Sequence, residues 1–290
     1  MKNNNLEQLS EKIFKEWFLL YNFPNSNNLP YAKNKGMFKK SKLGDIPEKW
    51  DVVEIGKIDL LITDYVANGS FASLKENVTI LDKEDYAFFI RNTDLKSNKF
   101  EKYVDKHSYD FLNKSKLFGN EILISNVGDV GSIYLCPILD KPMTLGNNMI
   151  MIRSKTDIKL EYYLYLLLKS EFGTHLLDGI TGGSVQSKFN KTDFRSLKII
   201  MPSNKILNNY NEIITPLFNQ IIQNNKEIKK LTKLRDTLLP KLMSGEIDVS
   251  DINFDLNFIY CMFQIWKNFP ESFIYPAYIF TNLYNAHNCW

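Results

Sequence analysis

Apolar residues recur along this chain in three regimes, and each predicts a different kind of structure. Over residues 5–21, Leu6, Leu9, Ile13, Trp17 and Leu20 return at intervals of three and four, while Glu7, Glu11, Lys12 and Lys15 take the other faces. That spacing predicts a short amphipathic helix. The period is then lost in NFPNSNNLPYAKNKGMFKKSKLGDIP, where Pro24, Pro30, Gly36, Gly44 and Pro47 predict a linker rather than an element. From about residue 46 to 203 short β-rich runs dominate. EILISNVGDVGSIYL reads as strand–turn–strand around Gly128 and Gly131. NMIMIRS predicts another strand, and DFRSLKIIMP one more, ended by Pro202. Between them LEYYLYLLLKSEFGTHLL predicts one strongly apolar helix packed on the sheet. The mixture indicates an α+β domain.

Helical periodicity returns over residues 206–245. Leu207, Tyr210, Ile214, Leu217, Ile221, Asn224, Ile228, Leu231, Arg235, Leu238 and Leu242 alternate steps of three and four, a heptad seam of about five repeats. Asn224 and Arg235 are polar members that cost stability but can fix register and partner. Pro216 should kink the helix or mark a fresh start, and Pro240 should distort its far end. Two readings stay open: a coiled coil, favoured by the narrow seam and its Lys- and Asn-rich flanks, or a long helix packed on its own domain. The last 40 residues hold 12 of the 39 aromatic residues and only four charged ones, with no clean period. They read as a small extra packing unit or as an extension foreign to the rest, such as a frameshifted read.

Composition changes this picture little. With 290 residues, 44% of them hydrophobic, the chain can hold one large domain or two small ones. A net charge of +3 suits a nucleic-acid partner without requiring one. Cys136, Cys261 and Cys289 are scattered and form no CxxC pair, which argues against disulfides and a zinc site and for a reducing setting. The N-terminus lacks a signal-peptide core, and no run of about 18 apolar residues exists. A soluble, cytoplasmic protein with no membrane partner is therefore expected.

Several chemistries are missing their signatures. There is no GxxxxGK[ST] phosphate loop, no GxGxxG after a strand, and no Asp or Asn before a Pro-Pro-aromatic triplet. His107, His175 and His287 are isolated, without metal-ligand spacing, and no GxSxG elbow appears. The expectation is a chain that is not an enzyme by itself and carries no cofactor or metal.

The order of segments carries more than any one residue. LEQLSEKIFKEWF, FPN, PYAK and LGDIPEKWDVVEIG are followed by EILISNVGDVGSIYLCP, TLGNNMIMIRS, YYLYLLLKS and TGGSVQSKFNKTDFRSLKIIMPS. The series closes on EIITPLFNQIIQNNKEIKKLTKLRDTLLPKLMSGEIDV. Over residues 5–249 this resembles the specificity subunit of type I restriction-modification enzymes, specifically its distal half with a single target-recognition domain. Two departures stand out: complete members carry two recognition domains joined by two antiparallel helices, and the aromatic tail matches nothing in the family. The chain therefore looks like half of a split or truncated specificity gene.

The resemblance implies an α+β target-recognition domain of mixed short strands and helices, flanked by long helices forming an antiparallel coiled coil. The segments would be a partial conserved helix at 1–21, a linker at 22–45, the recognition domain at 46–203, the long helix at 204–247 and the atypical tail at 248–290. It implies a non-catalytic subunit that reads a half-site on double-stranded DNA. Its helices would space two half-sites and dock methyltransferase subunits and, through them, the restriction subunit. A second copy or a separate half-specificity subunit would complete it.

The residues offer several DNA-contacting candidates. TGGSVQSKFNK opens with Thr181, also a DNA-binding candidate; Gly182 and Gly183 allow close backbone approach, and Ser184, Gln186, Lys188 and Lys191 suit phosphates or base edges. Asn68 and Ser70 lie in the similar stretch NGSFASLKEN. Arg91 and Asn92 are the types that read guanine and adenine edges, although Arg91 could equally pair with Asp94. Ser125 and Asn126 approach the backbone or belong only to a tight turn. Each loop could also be a solvated surface, and Lys226, Lys229, Lys230 and Lys233 read more simply as a solvated helix face. The competing function is a coiled-coil protein-interaction module that reads no DNA; a small metal-dependent nuclease is a third.

Overall fold

The computed structural model describes residues 2–183 and 187–247, and the chain divides into two compact units, Met1–Glu227 and Ile228–Trp290. The aromatic tail lies outside the described residues.

In the first unit, α1 (Lys2–Phe14) continues into a π-helical turn at Lys15–Leu19. The Leu20 amide donates to the Lys15 carbonyl at 2.9 Å, an i→i+5 bond that rotates everything after it. Trp17 and Phe18 both turn inward in consequence, and Ser10 and Phe14 are buried before them. Leu9 and Leu20, expected on the apolar face, are instead 44% and 45% exposed.

The stretch expected to be a linker is built. It forms a hairpin, β1 (Phe38–Ser41) with β2 (Gly44–Pro47), closed at Ser41↔Gly44 where Gly44 takes φ +94°. Phe23 stacks between Tyr31 (4.6 Å between ring centroids) and Trp50 (4.9 Å). Proline and glycine mark its turns, and the aromatics supply a core that turn signals conceal.

The chain then runs through β3 (Asp51–Glu54), β4 (Leu60–Asp64), α2 (Phe71–Asn77), β5 (Ile80–Leu81), β6 (Ala87–Ile90) and α3 (Asn92–Ser97). Next come β7 (Tyr103–Val104), α4 (Lys106–Phe111), β8 (Lys116–Leu117), β9 (Ile122–Ser125) and β10 (Ile133–Leu135). They are followed by β11 (Met143–Leu145), β12 (Met149–Ser154), α5 (Glu161–Lys169), α6 (Glu171–Ile180), α7 (Lys191–Ser196) and β13 (Lys198–Met201). The 40-residue α8 (Asn204–Met243) closes the described chain.

One sheet is antiparallel, in the order β10-β9-β12-β4, with Met151 opposite both Leu123 and Thr63. A second has the order β5-β7-β6-β11-β8, with β6 and β11 parallel. Successive residues of a strand point to opposite faces. Ile122, Ile124, Ile150 and Ile152 pack with Tyr163, Leu164 and Leu167 of α5, while Leu123, Met149 and Met151 pack with Phe88, Ile90 and Leu145. Both faces of β9 and β12 are covered, so their sequences read as unbroken apolar runs.

The helix expected over LEYYLYLLLKSEFGTHLL is two. Ser170 leaves the helical region and its hydroxyl accepts the Gly173 amide at 3.3 Å, starting α6. A Cβ at Gly173 would come within 2.2 Å of the Leu167 carbonyl oxygen, so only glycine permits this corner.

Helix α8 is continuous through Pro216 and Pro240. Leu207, Tyr210, Ile214, Phe218 and Ile221 are buried in the first unit, which supplies packing on both sides of Pro216. Asn3 bonds to Asn224 and Asn225, and the Trp17 ring lies 5.8 Å from that of Tyr210, so α1 and α8 run antiparallel. In the second unit, by contrast, Ile228, Leu231, Leu234, Leu238, Leu239 and Leu242 are 37–55% exposed.

Candidate nucleic-acid interface

Three loops leave the four-stranded sheet, or reach it, at one edge. β9 ends at Ser125 opposite Met149, and β4 ends at Asp64 opposite Ile150. The turn after β9 and the turn after β4 therefore emerge together. The 181–191 loop is stitched to them. Its Phe189 amide donates to the Asn126 carbonyl at 3.2 Å, the Asn126 side-chain amide donates back to the Phe189 carbonyl at 3.1 Å, and the Gly128 amide donates to the Ser187 carbonyl at 3.2 Å. Gly182 and Lys188 exchange two backbone bonds at 3.0 and 2.8 Å that close the loop's stem. The start of α3 joins through Asn92, whose side-chain amide reaches Asp129 at 3.4 Å.

Within this edge the candidates have different jobs. Ser125 is fully buried, its hydroxyl 3.4 Å from the Val127 carbonyl, and Asn126 holds the 181–191 loop; both shape the turn rather than face solvent. Thr181 bonds to the Leu177 carbonyl at 2.7 Å and closes α6. Gly182, Gly183 and Lys188 are exposed, Gly183 at φ +114°, and Lys188 forms no ion pair among the described residues. Ser184 and Gln186 lie outside the described residues.

Two cations are committed elsewhere. Lys191, expected as a phosphate contact, donates to Asp64 at 2.8 Å, with the two side chains only 26% and 15% exposed. Asp64 also caps the turn Tyr65–Asn68 by accepting the Ala67 amide, so the pair ties two loops together. Arg91 grips Asp94 through Nε at 2.9 Å and Nη2 at 2.5 Å, the ion pair that was one of its two readings. A bidentate fork of this kind leaves little of the guanidinium for a guanine edge.

Asn68 and Ser70 also hold structure. Asn68 donates to the Tyr65 carbonyl and the Ser115 hydroxyl and accepts the Lys114 amide. Ser70 caps α2 by accepting the Ser73 amide.

Asp129 and Lys96 were not singled out by the sequence, yet they complete the edge. Lys96 lies one turn beyond Asn92 on α3 and donates to Asp129 at 3.2 Å; the i, i+4 spacing was the signal available. Hydrogen bonds from the Ser132 hydroxyl, then Lys96 and Asn92, hold the Asp129 carboxyl below its ordinary range. Among the described residues no three His, Cys, Asp or Glu side chains gather as a metal site, and no helix is long and apolar enough to cross a membrane.

The type I restriction modification DNA specificity domain family matches residues 47–233. The MjaIX type I restriction enzyme specificity subunit of Methanocaldococcus jannaschii is 29% identical over 262 residues, 87% of this chain and 55% of that protein. The HindI specificity subunit of Haemophilus influenzae is 30% identical over 139 residues, 48% of this chain and 29% of that protein. A crystal structure of a type I restriction-modification S subunit from M. genitalium is 22% identical and covers 72% of this chain and 49% of that one, with a TM-score of 0.43. The chain thus spans about half or less of these relatives' length. With well over half of its residues matched, the chain belongs to the type I restriction modification DNA specificity domain family.

Proposed function

We propose that this chain is a DNA-reading specificity subunit, non-catalytic by itself, that acts in the cytoplasm as part of a type I restriction-modification complex. The observation that carries the reading is the gathering of the 126–131 turn, the 181–191 loop and the start of α3 at one edge of the sheet. Residues 46–203 act as the target-recognition domain, with α1 and the first part of α8 as its arms. Exposed backbone at Gly182 and Gly183 admits a duplex closely, and Lys188 takes a phosphate. Ser184 and Gln186 are the base-edge candidates that remain, while Asn92, Ser125, Asn126, Asn68, Ser70, Arg91 and Lys191 support the loops that carry them.

The domain reads one half-site. The exposed leucines and isoleucine of the second unit dock methyltransferase subunits, or a second copy that supplies the other half-site. The same stripe would serve a pure assembly module, and salt separates the two. Binding to duplex DNA that rests on phosphate contacts weakens steeply from about 50 to 200 mM salt. An apolar helix interface does not. Titration of labelled duplex with the full chain, alone and with its methyltransferase subunit, tests the reading. No binding in either form at low salt would overturn it.

A further inference from the structure

Phe71 is the most exposed large apolar side chain among the described residues, at 81%. Phe118, the next most exposed aromatic, at least carries the Arg153 guanidinium 4.9 Å above its ring; Phe71 stands in no aromatic or cation–π contact among the described residues. It is nevertheless held firmly. It occupies the first position of α2, which Ser70 caps, and Leu74 anchors that helix at 3% exposure. The three hydrogen bonds of Asn68 fix the preceding turn to Ser115 and Lys114. Val66 of the same turn is 43% exposed, and the Lys114 side chain is exposed with no ion pair among the described residues. A single exposed apolar side chain is ordinary on a protein surface; what sets Phe71 apart is that the capped turn holding it is tied to the candidate interface.

The place of Phe71 matters. Asp64, which holds Lys191 of the candidate interface, also caps the turn leading to Phe71. Seven residues of chain reach at most about 25 Å, and a duplex advances about 3.4 Å per base pair. Phe71 therefore lies within about 25 Å of Asp64, a span of roughly seven base pairs of duplex.

Resting on the DNA-reading function above, we propose that Phe71 makes an apolar contact with a base and that Lys114, whose backbone amide is bonded to Asn68 of the same turn, takes a phosphate, which makes the Tyr65–Phe71 segment a second reading element. Phenylalanine reads thymine methyl groups in the major groove or wedges between base steps in the minor groove. The two residues then act on different observables. The full chain, alone and with its methyltransferase subunit, is used to select from a random-sequence duplex pool, and the salt dependence of binding is measured on the winner.

Phe71→Ala should lose about tenfold preference at one or two adjacent positions and keep the salt slope. Phe71→Leu, still apolar, should retain most of that preference. Lys114→Ala should keep the preference and flatten the slope by about 0.9. Replacing thymine by uracil at the affected positions repeats the Phe71→Ala loss if a methyl group is read, and leaves it unchanged if the ring is a wedge; either supports a base contact. A Phe71→Ala chain that selects the wild-type sequence with wild-type preference overturns the proposal while leaving DNA reading intact. A wild-type chain that selects nothing overturns the DNA-reading function, and this inference with it.

Discussion

Lys188 and Lys191 sit three residues apart in one polar loop, yet their replacement by alanine should have opposite signatures. Lys188 is exposed and in no ion pair among the described residues, so a phosphate contact is open to it. Removing one lysine–phosphate interaction changes the slope of log K against log salt by about 0.9. Between about 50 and 200 mM salt, a 0.6-unit span, that is roughly a 3.5-fold change in relative affinity. Lys188→Ala should show this flattening with an unchanged melting temperature. Lys191 instead donates to Asp64 at 2.8 Å with both side chains largely covered. Without it, the Asp64 carboxylate still caps Ala67 but has no cation beside it, a cost on the order of 1–2 kcal/mol. For a unit of this size that lowers the melting temperature by roughly 2–8 °C. The salt slope should stay near the wild-type value. Calorimetry and a salt titration on the two single variants separate the roles. If Lys191→Ala melts like wild type and flattens the slope by about 0.9, Lys191 leaves Asp64 to hold phosphate and the assignment is refuted.

Other expectations follow from the same side chains. Ile221→Asp places a carboxylate where the side chain is 7% exposed and should melt the first unit early, whereas Ile228→Asp, at 55% exposure, should keep the melting temperature and weaken association seen by light scattering; an Ile228→Asp chain that associates like wild type removes that stripe from assembly. Tyr163 and Tyr210 both press on Phe18, edge to face at 4.8 and 4.7 Å. The Tyr163 hydroxyl donates to the Ile200 carbonyl, while that of Tyr210 is buried with no protein partner among the described residues. Tyr163→Phe should cost about 1 kcal/mol and Tyr210→Phe should be neutral or stabilising by a similar amount; a clear loss for Tyr210→Phe in denaturant titration would show that its hydroxyl is bonded. Asn126→Asp turns a donor to the Phe189 carbonyl into an acceptor and should speed hydrogen exchange at the Phe189 amide, with unchanged exchange counting against the tether. The Asp129 carboxyl is held below its usual range, so its contribution is present above the ordinary carboxylate pKa and fades as pH falls through the lower folded value. The stability difference between wild type and Asp129→Asn should shrink in that acid window, and a difference that grows there contradicts the hydrogen bonds from Ser132, Lys96 and Asn92.

The sequence by itself determined the elements whose period is local. Short β-rich apolar runs and turn glycines sufficed for β9, β10 and β12, and the heptad seam for α8, because the residues that make those patterns are neighbours along the chain. The ordered motifs of residues 5–249 were enough to recognise the family. The second sheet was not legible, since strands of two to four residues carry no period. The π-helical turn was hidden too: one turn of i→i+5 bonding moves Trp17 and Phe18 inward without changing composition. Residues 22–45 read as a linker because turn residues dominate them, and only the meeting of Phe23, Tyr31 and Trp50 makes a core there. Which half of the α8 seam the first unit uses was likewise a matter of what α1 can reach, fixed where Asn3 meets Asn224 and Asn225. At the candidate interface the sequence supplied residue types, and topology assigned their roles. Lys191 and Asp64 are 127 positions apart, and Asn126 and Phe189 are 63 apart. Whether a lysine or an asparagine is left for DNA depends on which distant partner the strand order brings within about 3 Å of it, a property no local pattern records.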